Sequence, residues 1–301
     1  MYKIFNKSRR VIKRKWYALI YFVKDIILRD KVLVNYWIPP KSDPEFYNFG
    51  DDLNRGLIEL ISGKTVIPYR FSRVSKLKKS INYLCIGSVI SQLTNEQTIV
   101  WGGGVLSPEL PLENKPLKVL AVRGPLSREY LVKNGVECPE IYGDPAILLS
   151  RYYKPKSSVK KYTMGIIPHY IDKNNPVLDA YRKLEEVYIF DMQNYGSYQQ
   201  FVDTLCACEF IISSSLHGLI VSDSYNIPNA WVEFSSGIVG GHFKFRDYFL
   251  SVQRSFAHLP IAFKTFIPVA EWQELASHWQ PPKLDGDQLM SVCPFNRTTT
   301  W

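Results

Sequence analysis

The stretch of the sequence most suited to chemistry is Phe210-Ile211-Ile212-Ser213-Ser214-Ser215-Leu216-His217-Gly218. Its apolar start is typical of a strand buried on both faces, as in parallel sheets. Three serines, a histidine and a glycine follow, before an apolar run that predicts a short helix. Open α/β sheets bind ligands at such strand–loop–helix junctions, where free N–H groups and the helix dipole favour a phosphate or carboxylate.

Two interpretations of this loop stay open. In the functional one, His217 exchanges a proton near neutral pH, and Gly218 lets an anionic ligand approach the backbone. Ser214 and Ser215 would then belong to the anion site. In the structural one, the serines are turn and capping residues, and His217 is simply an exposed loop side chain.

Polar residues also follow strands predicted in the N-terminal half. Asn48-Phe49-Gly50-Asp51-Asp52 leads into a helix, and one aspartate can serve as its N-cap. Asn48 and two aspartates exceed what a cap requires, so we expect Asn48, Asp51 and Asp52 in a polar site. Gly102-Gly103-Gly104 follows another strand. It predicts a turn with positive φ or a close approach to the backbone, and we place Gly103 and Gly104 in the cleft.

Two charged residues stand at other strand ends of this half. Arg123 follows Val119-Leu120-Ala121-Val122, and Pro125 fits the first turn of the next helix. We therefore expect the Arg123 side chain to point into a cleft at the carboxyl ends of the strands. Asp144 precedes Pro145 and a short apolar helix. An N-cap role explains Asp144 better than catalysis does, and it is also a candidate cleft residue.

The C-terminal half repeats the pattern of strands that end in polar residues. His169 follows the strand Thr163–Ile167, and Glu233 ends another. His169 is a candidate base or second proton donor, with an ordinary loop histidine as the alternative. Lys244 and Arg246, at the start of a helix, are candidate cations for an anionic ligand, but a solvated helix face is the simpler interpretation.

Strands alternate with helices through both halves, which predicts an α/β fold. A chain of 301 residues, 46% of them hydrophobic, exceeds the usual size of one domain. We predict two doubly wound, Rossmann-like domains that face each other across a cleft. The N-terminal segment covers residues 1–31 and the first domain residues 32–150. A linker at 151–161 leads to the second domain at 162–260, and the C-terminal helix and tail cover 261–301.

The first 31 residues hold ten Lys or Arg against two acids, which is +8 of the net charge of +9. The apolar run Trp16–Val23 has eight residues, too few to span a bilayer, and no small-residue cleavage site follows it as in a signal peptide. Basic residues at helical spacing with Trp16, Tyr17 and Phe22 predict a helix on an anionic membrane surface. A nucleic-acid arm is the rival, but no nucleic-acid module accompanies it, so we expect no nucleic acid partner.

The five cysteines are odd in number and lack metal-like pairing, which favours reduced, buried thiols in a cytosolic protein. The histidines and acids show no familiar ligand spacing either. The triple glycine is not a G-x-G-x-x-G dinucleotide fingerprint. We therefore expect neither a metal site nor a bound cofactor.

Five of these segments occur in an order and spacing that resemble the polysaccharide pyruvyl transferase family of bacterial capsule and exopolysaccharide synthesis. Between about residue 35 and about residue 250 they are Asn48–Asp51, Gly102–Gly104, Val122–Pro125, Gly143–Pro145 and Ser214–Gly218. The resemblance implies a fold similar to the two-domain GT-B glycosyltransferases. It also implies transfer of pyruvate from phosphoenolpyruvate (PEP) to two hydroxyls of a sugar, which forms a cyclic ketal and releases phosphate.

Under this resemblance, Arg123 and His217 match the family's arginine and histidine motifs and bind the donor on the C-terminal side. Some relatives have an arginine where this chain has Ser215, so one cation fewer is available for PEP. Ketal formation requires a proton on the PEP methylene carbon, and His217 is the candidate acid. Its helix-start position would depress its pKa until a phosphate binds. Asp51, on the acceptor side, would orient the acceptor or accept its hydroxyl proton.

Functions of other classes stay open. A glycosyltransferase of the same architecture would use a nucleotide sugar and could bind its ribose with Glu233. A non-catalytic subunit of a polysaccharide assembly complex would tolerate the loss of His217. For the pyruvyl transferase we expect an oligosaccharide or lipid-linked oligosaccharide acceptor. We expect a cytoplasmic enzyme, peripheral on the inner face of the bacterial cytoplasmic membrane.

Overall fold

The computed structural model describes residues 2–38, 48–235, 237, 240–255 and 260–295, with side chains from Lys15 onward. Within these ranges the strands are β1 (Lys31–Val34), β2 (Thr65–Pro68), β3 (Asn82–Leu84), β4 (Thr98–Trp101), β5 (Lys118–Ala121), β6 (Tyr162–Ile167), β7 (Val187–Ile189), β8 (Cys208–Ser213), β9 (Asn229–Glu233) and β10 (Ile261–Ala262).

The strands form two five-stranded sheets in which every neighbouring pair is parallel. The order is β2-β1-β3-β4-β5 in the first sheet and β10-β9-β8-β6-β7 in the second. The α/β fold, with a parallel sheet in each half, is therefore confirmed. The strands β2 and β10 were not predicted from the sequence. Both are short strands at a sheet edge, so neither shows a long apolar run.

The helices lie between the strands and after them. They are α1 (Tyr2–Ile27), α2 (Phe49–Ser62), α3 (Arg73–Leu77), α4 (Ile90–Leu93), α5 (Pro125–Lys133), α6 (Leu149–Tyr152), α7 (Leu178–Tyr181), α8 (Tyr198–Cys206), α9 (Leu216–Ser224), α10 (Phe243–Ser251), α11 (Val269–Ser277) and α12 (Gly286–Ser291). Short 3-10 turns lie at Tyr69–Phe71 and Pro145–Leu148. Residues 153–161, inside the predicted linker, form neither helix nor strand.

The central strand of the second sheet explains the apolar run before the triple serine. β8 pairs with β6 on one side and β9 on the other, and Ile211 and Ile212 are fully buried. Residues on both faces of a covered parallel strand must be apolar, which is why the run does not alternate. The loop Ser214–Ser215 then leads directly into α9, so His217 stands in the first turn of that helix.

Apolar packing joins the two halves of the chain. The largest core cluster contains side chains from both sheets, from β1 through β8. Phe49, at the start of α2, stacks on Phe201 of α8 with ring centroids 3.8 Å apart. The Phe49 backbone N–H also donates to the Met192 carbonyl at 2.9 Å. This contact places the first turn of α2 against the second half of the chain.

The C-terminal segment returns to the first sheet, which the sequence did not predict. We expected a polar tail after the helix that ends near Trp279. Instead, α12 buries Leu289 completely, and its carbonyl accepts a hydrogen bond of 3.0 Å from Trp101 Nε1. Phe295 packs edge-on against Trp101 as well. The last part of the predicted tail, residues 296–301, lies outside the described residues.

The C-terminal half of α1 is fixed to the protein by a buried carboxylate. Asp25 is 1% exposed, accepts hydrogen bonds from the Val74 and Ser75 backbone and from the Ser75 hydroxyl, and pairs with Lys31 at 2.8 Å. Burial alone would raise the Asp25 pKa, but the bonds from Lys31 and Ser75 outweigh it and lower the pKa. Asp25 therefore holds α1 against α3 and β1.

Replacing Asp25 by alanine is expected to reduce the free energy of unfolding by about 2–4 kcal/mol, because the hydrogen-bond donors around it lose their acceptor. Since its pKa is lowered on folding, the Asp25 contribution is present above the unfolded pKa and is lost as the pH falls. The difference from wild type, measured by urea unfolding at several pH values, should therefore shrink in acid. Asp30→Ala is the control, since the exposed Asp30 makes a surface ion pair with Lys64, and such pairs contribute little to stability. Equal losses for both variants would contradict this role of Asp25.

Candidate active site

The carboxyl ends of strands from both sheets bring together most of the candidate residues. His217 comes from the start of α9, His169 from the loop after β6, and Lys244 from the first turn of α10. From the first half come Asp51, in the first turn of α2, and Asp144, at the 3-10 turn after β5 and α5. Lys244 influences the pKa of His217, His169 and Asp51, which shows that these groups share one electrostatic environment.

His217 lies between α2 and Asp144. Its side chain is 11% exposed, and its Nε2 is 3.8 Å from Asp144 Oδ2. That distance is too long for a hydrogen bond, and neither atom has a hydrogen-bond partner among the described residues. A Cβ atom on Gly50 would lie 2.0 Å from His217 Nδ1, so only glycine allows the imidazole to rest on α2. Two buried polar atoms thus face each other across a narrow gap.

The order of the two pKa values in this pair is the reverse of that in water. Burial, followed by the positive charges of Arg123 and Lys244, lowers the pKa of His217 to about 3. The lowered pKa agrees with our expectation, although the cause is burial and two cations rather than the helix start. Burial raises the pKa of Asp144 to about 7, against the hydrogen bond from Ala146. Near neutral pH the imidazole is neutral, and the Asp144 carboxyl is only partly ionised.

Replacing Asp144 by asparagine is expected to stabilise the protein, and more so as the pH rises. Asp144 binds a proton more tightly in the folded state, so its contribution to stability falls as the pH rises from the unfolded pKa to about 7. Asparagine keeps the acceptor for the Ala146 N–H but carries no charge. Its gain over wild type should grow between pH 5 and pH 8, to at most about 4 kcal/mol. Urea unfolding at the two pH values measures it, and a difference independent of pH would contradict the raised pKa.

Arg123 does not point into an open cleft as we expected. Its side chain is fully buried, and its Nε pairs with Asp247 Oδ2 of α10 at 3.0 Å. The remaining guanidinium donates to the Ser88 hydroxyl and the Val105 carbonyl. Because these internal acceptors hold Arg123 in place, the structure gives it a structural and electrostatic role beside the site.

Lys244 is the cation that the structure places in the site. The sequence favoured a solvated helix face for both Lys244 and Arg246. Lys244 is only 9% exposed, so that interpretation is wrong for it. Arg246 is exposed, as expected for a solvated face. Burial and the nearby Arg123 lower the pKa of Lys244 to about 8, and Asp51 acts in the opposite direction. The ammonium lies 5.5 Å from the centre of the Phe245 ring, and no ion pair with an acid is found for it in the described part of the chain.

The start of α2 differs from the expected capping arrangement. Asn48, rather than either aspartate, occupies the N-cap position, and its Nδ2 donates to Asp51 Oδ2 at 3.1 Å. Burial, followed by the charge of Asp52, raises the pKa of Asp51 to about 7. Asp52 accepts a 2.5 Å hydrogen bond from Tyr195, and burial raises its pKa to about 6. Both carboxyls therefore titrate close to neutral pH.

The serine loop has a structural role in this structure. Ser213 is fully buried, and its hydroxyl bonds to the Ile167 and Ser215 carbonyls. The Ser214 hydroxyl accepts the His169 backbone N–H at 2.8 Å, and Ser215 is at the N-cap position without a side-chain capping bond. These contacts support the turn interpretation of the serines. By fixing the backbone of His169, Ser214 also positions a second imidazole in the site.

His169 is a second neutral imidazole beside Lys244. Burial, followed by the charge of Lys244, lowers the pKa of His169 to about 3. Its Nδ1 accepts the Ile171 backbone N–H at 3.4 Å. A neutral imidazole can accept a proton, and it becomes a proton donor only when its pKa rises. The role of His169 as base or second proton donor stays a prediction.

The glycines are explained by close contacts within the protein. A Cβ atom on Gly104 would lie 2.2 Å from the Arg123 guanidinium carbon, and one on Gly103 would lie 2.2 Å from Leu84. A Cβ atom on Gly218 would lie 2.4 Å from the Ser213 hydroxyl oxygen. The close approach that the sequence predicted is therefore made by the chain's own side chains. Glu233, the candidate ribose ligand, instead contacts His242 Nε2 at 3.1 Å.

Asp247 and His242 lie beside the site but were not among the residues predicted from the sequence. Asp247 is fully buried against Arg123 and Ser127, yet it lies in the stretch Phe-Lys-Phe-Arg-Asp, which gives no sign of a buried acid. Only its distant partner Arg123, from the first half of the chain, explains it. Across the described residues, no group of three or more His, Cys, Asp or Glu side chains is arranged to hold a metal ion.

The sequence matches a known protein family and two known proteins. The polysaccharide pyruvyl transferase family matches residues 16–236. The chain is similar to an uncharacterized protein of Acanthamoeba polyphaga mimivirus, with 28% identity over 229 residues, which are 73% of this chain and 74% of the relative. It is also similar to the succinoglycan biosynthesis protein ExoV of Rhizobium meliloti (strain 1021), with 25% identity over 217 residues. That alignment spans 71% of this chain and 62% of ExoV.

The family match covers most of the chain and contains every motif named above. It begins inside α1, whereas the motifs had suggested a start near residue 35, so the C-terminal half of α1 belongs to the family region. Membership implies a transferase with a polysaccharide as its acceptor. The recognition made from the sequence motifs is thus confirmed, and the chain belongs to the polysaccharide pyruvyl transferase family.

Proposed function

We propose that this protein transfers the pyruvyl group of PEP to two hydroxyls of a sugar in a surface polysaccharide or its lipid-linked precursor. The observation that supports this best is Lys244. It is a buried ammonium without an acid partner among the described residues, next to two neutral imidazoles and two carboxyls with raised pKa. Because burial keeps these carboxyls partly protonated near neutral pH, the ammonium is not fully compensated and the site favours a small anion.

Lys244 supplies the cation that Ser215 does not provide. The PEP phosphate or carboxylate would pair with its ammonium, while Arg123 adds positive potential from the adjoining ion pair. An anion placed there raises the pKa of His217 from its low value. His217 would therefore gain a proton only when the donor is bound.

The reaction needs acids and bases in sequence. Protonation of the PEP methylene carbon, by His217, turns C2 into an oxocarbenium-like centre. The first sugar hydroxyl adds to C2 and gives its proton to a base, for which Asp51 and His169 are the candidates. Phosphate then leaves with the C2–O electron pair, and the second hydroxyl adds with loss of its proton. The products are a cyclic ketal and inorganic phosphate, and no redox step is involved.

We also propose a two-domain architecture for the protein. The two sheets would represent two domains, at 32–150 and 162–260, that face each other in a GT-B-like arrangement. The donor would lie against α9 and α10, and the acceptor against α2 with Asn48, Asp51 and Asp52. The enzyme would act on the cytoplasmic side of a membrane, without a metal or an organic cofactor.

Incubating the purified protein with PEP and an oligosaccharide acceptor tests the proposal. We expect phosphate release that depends on the acceptor, and an acceptor mass increased by one pyruvic acid less one water. A parallel incubation replaces PEP with nucleotide sugars. Transfer of a glycosyl residue there, with no product from PEP, would identify a glycosyltransferase and refute the pyruvyl transfer.

A further inference from the structure

The helix α1 presents an apolar stripe to solvent. Six large apolar side chains between positions 16 and 27 recur at the spacing i, i+3, i+4, i+7, i+10 and i+11, which places them on one face of a helix. They are Trp16, Leu19, Ile20, Val23, Ile26 and Ile27, with exposed fractions of 62%, 52%, 45%, 41%, 57% and 67%. A continuous exposed stripe of this size marks an interaction surface rather than chance exposure.

The opposite face of α1 is fixed to the protein. Tyr21 and Asp25 are almost completely buried, and Asp25 bonds to α3 as described above. Arg55 of α2 donates to the hydroxyls of both Tyr17 and Tyr21, at 2.6 and 3.0 Å. The stripe is therefore the outer side of a docked helix, and its direction is set by the body of the protein.

The charge of residues 1–31 indicates which kind of partner binds the stripe. Residues 1–31 carry ten Lys or Arg and two acids. One of the acids, Asp25, is buried and paired with Lys31, which leaves nine Lys or Arg against the acid Asp30. No described helix is both long enough and apolar enough to cross a bilayer. We infer that α1 lies along an anionic lipid bilayer, with the stripe in the boundary between headgroups and acyl chains.

A protein partner or a second copy of the chain fits the stripe less well. Two copies meeting through α1 would bring together two segments of charge +8, which repel each other. An anionic bilayer attracts the same charge and also accommodates Trp16, since tryptophan is favoured at the interface between water and lipid. The inference does not depend on pyruvyl transfer, because binding is measured without substrates.

Flotation of the full-length protein with lipid vesicles tests the inference. We expect binding to vesicles of phosphatidylcholine mixed with phosphatidylglycerol to exceed binding to phosphatidylcholine alone by about a hundredfold, and to weaken as salt is added. The double variant Ile20→Asp and Val23→Asp should bind about a hundredfold more weakly, because two apolar side chains leave the lipid boundary. Both positions are exposed, so the fold should be unaffected.

Leu77→Asp is the matched control. Leu77 is 86% exposed on α3, outside the stripe, and its substitution should leave vesicle binding unchanged. Three results would each overturn the inference: equal binding to both kinds of vesicle, full binding by the double variant, or no binding at all. If vesicle binding is absent and sedimentation shows a dimer that the double variant abolishes, the stripe is instead a contact between two copies of the chain.

Discussion

Replacing Lys244 by methionine is expected to raise the KM for PEP by about 30- to 100-fold, with a smaller change in kcat. A charge-assisted hydrogen bond to a ligand contributes about 2–3 kcal/mol, and each 1.4 kcal/mol corresponds to a factor of ten. Methionine keeps the apolar stem beside Phe245 but removes the ammonium. Steady-state kinetics with PEP varied at saturating acceptor measure the effect.

The folding stability of Lys244→Met distinguishes a loss of PEP binding from a loss of structure. A buried ammonium without an acid partner costs free energy, so Lys244→Met should unfold at the same urea concentration as wild type or a higher one. Arg246→Met, two residues further along α10, is the control, because Arg246 is exposed and its loss should change neither KM nor stability. A destabilised Lys244→Met with an unchanged KM for PEP would refute the anion-binding role.

Replacing His217 by glutamine is expected to lower kcat by about 10²- to 10⁴-fold, while the KM for PEP changes little. This is the usual contribution of a positioned proton donor. Glutamine retains a polar side chain near Asp144 but cannot carry the proton that the methylene carbon must receive. Single-turnover measurements of phosphate release would locate the loss in the chemical step.

His278→Gln is the control for the His217 substitution. His278 is exposed at the end of α11, so the same change there should leave kcat unaltered. A His217→Gln variant that is folded, by its circular dichroism and urea unfolding, and still transfers pyruvate at the wild-type rate would exclude His217 as the acid. The acid would then have to be one of the carboxyls with raised pKa, Asp51 or Asp144.

Local patterns in the sequence were sufficient to predict the parallel α/β framework and to indicate which candidate residues would lie close together. The apolar run of β8 and the polar residues at successive strand ends indicated which loops would meet, because parallel strands place their carboxyl ends at one edge. His217, His169, Asp51 and Asp144 do lie in one environment. The edge strands β2 and β10 and the returning helix α12 were missed, because their few residues gain stability from distant neighbours rather than from a local pattern.

Residue roles that depend on contacts over long sequence separations were decided only by the tertiary structure. The sequence places Arg123 at the end of a strand but does not show its partner, because Asp247 lies 124 residues away. Their pairing removes the guanidinium from the open cleft. Lys244 and Arg246 are two residues apart and look alike in the sequence. Burial separates them, since only Lys244 is covered by the folded chain.

The sequence by itself determined the secondary-structure alternation, the family and the basic charge of α1, because these follow from residue types at short spacing. The tertiary structure alone decided the protonation states in the site. A pKa depends on desolvation and on charges within a few ångströms. For His217, these surroundings are set by the packing of α9 against α2, where the imidazole lies on Gly50.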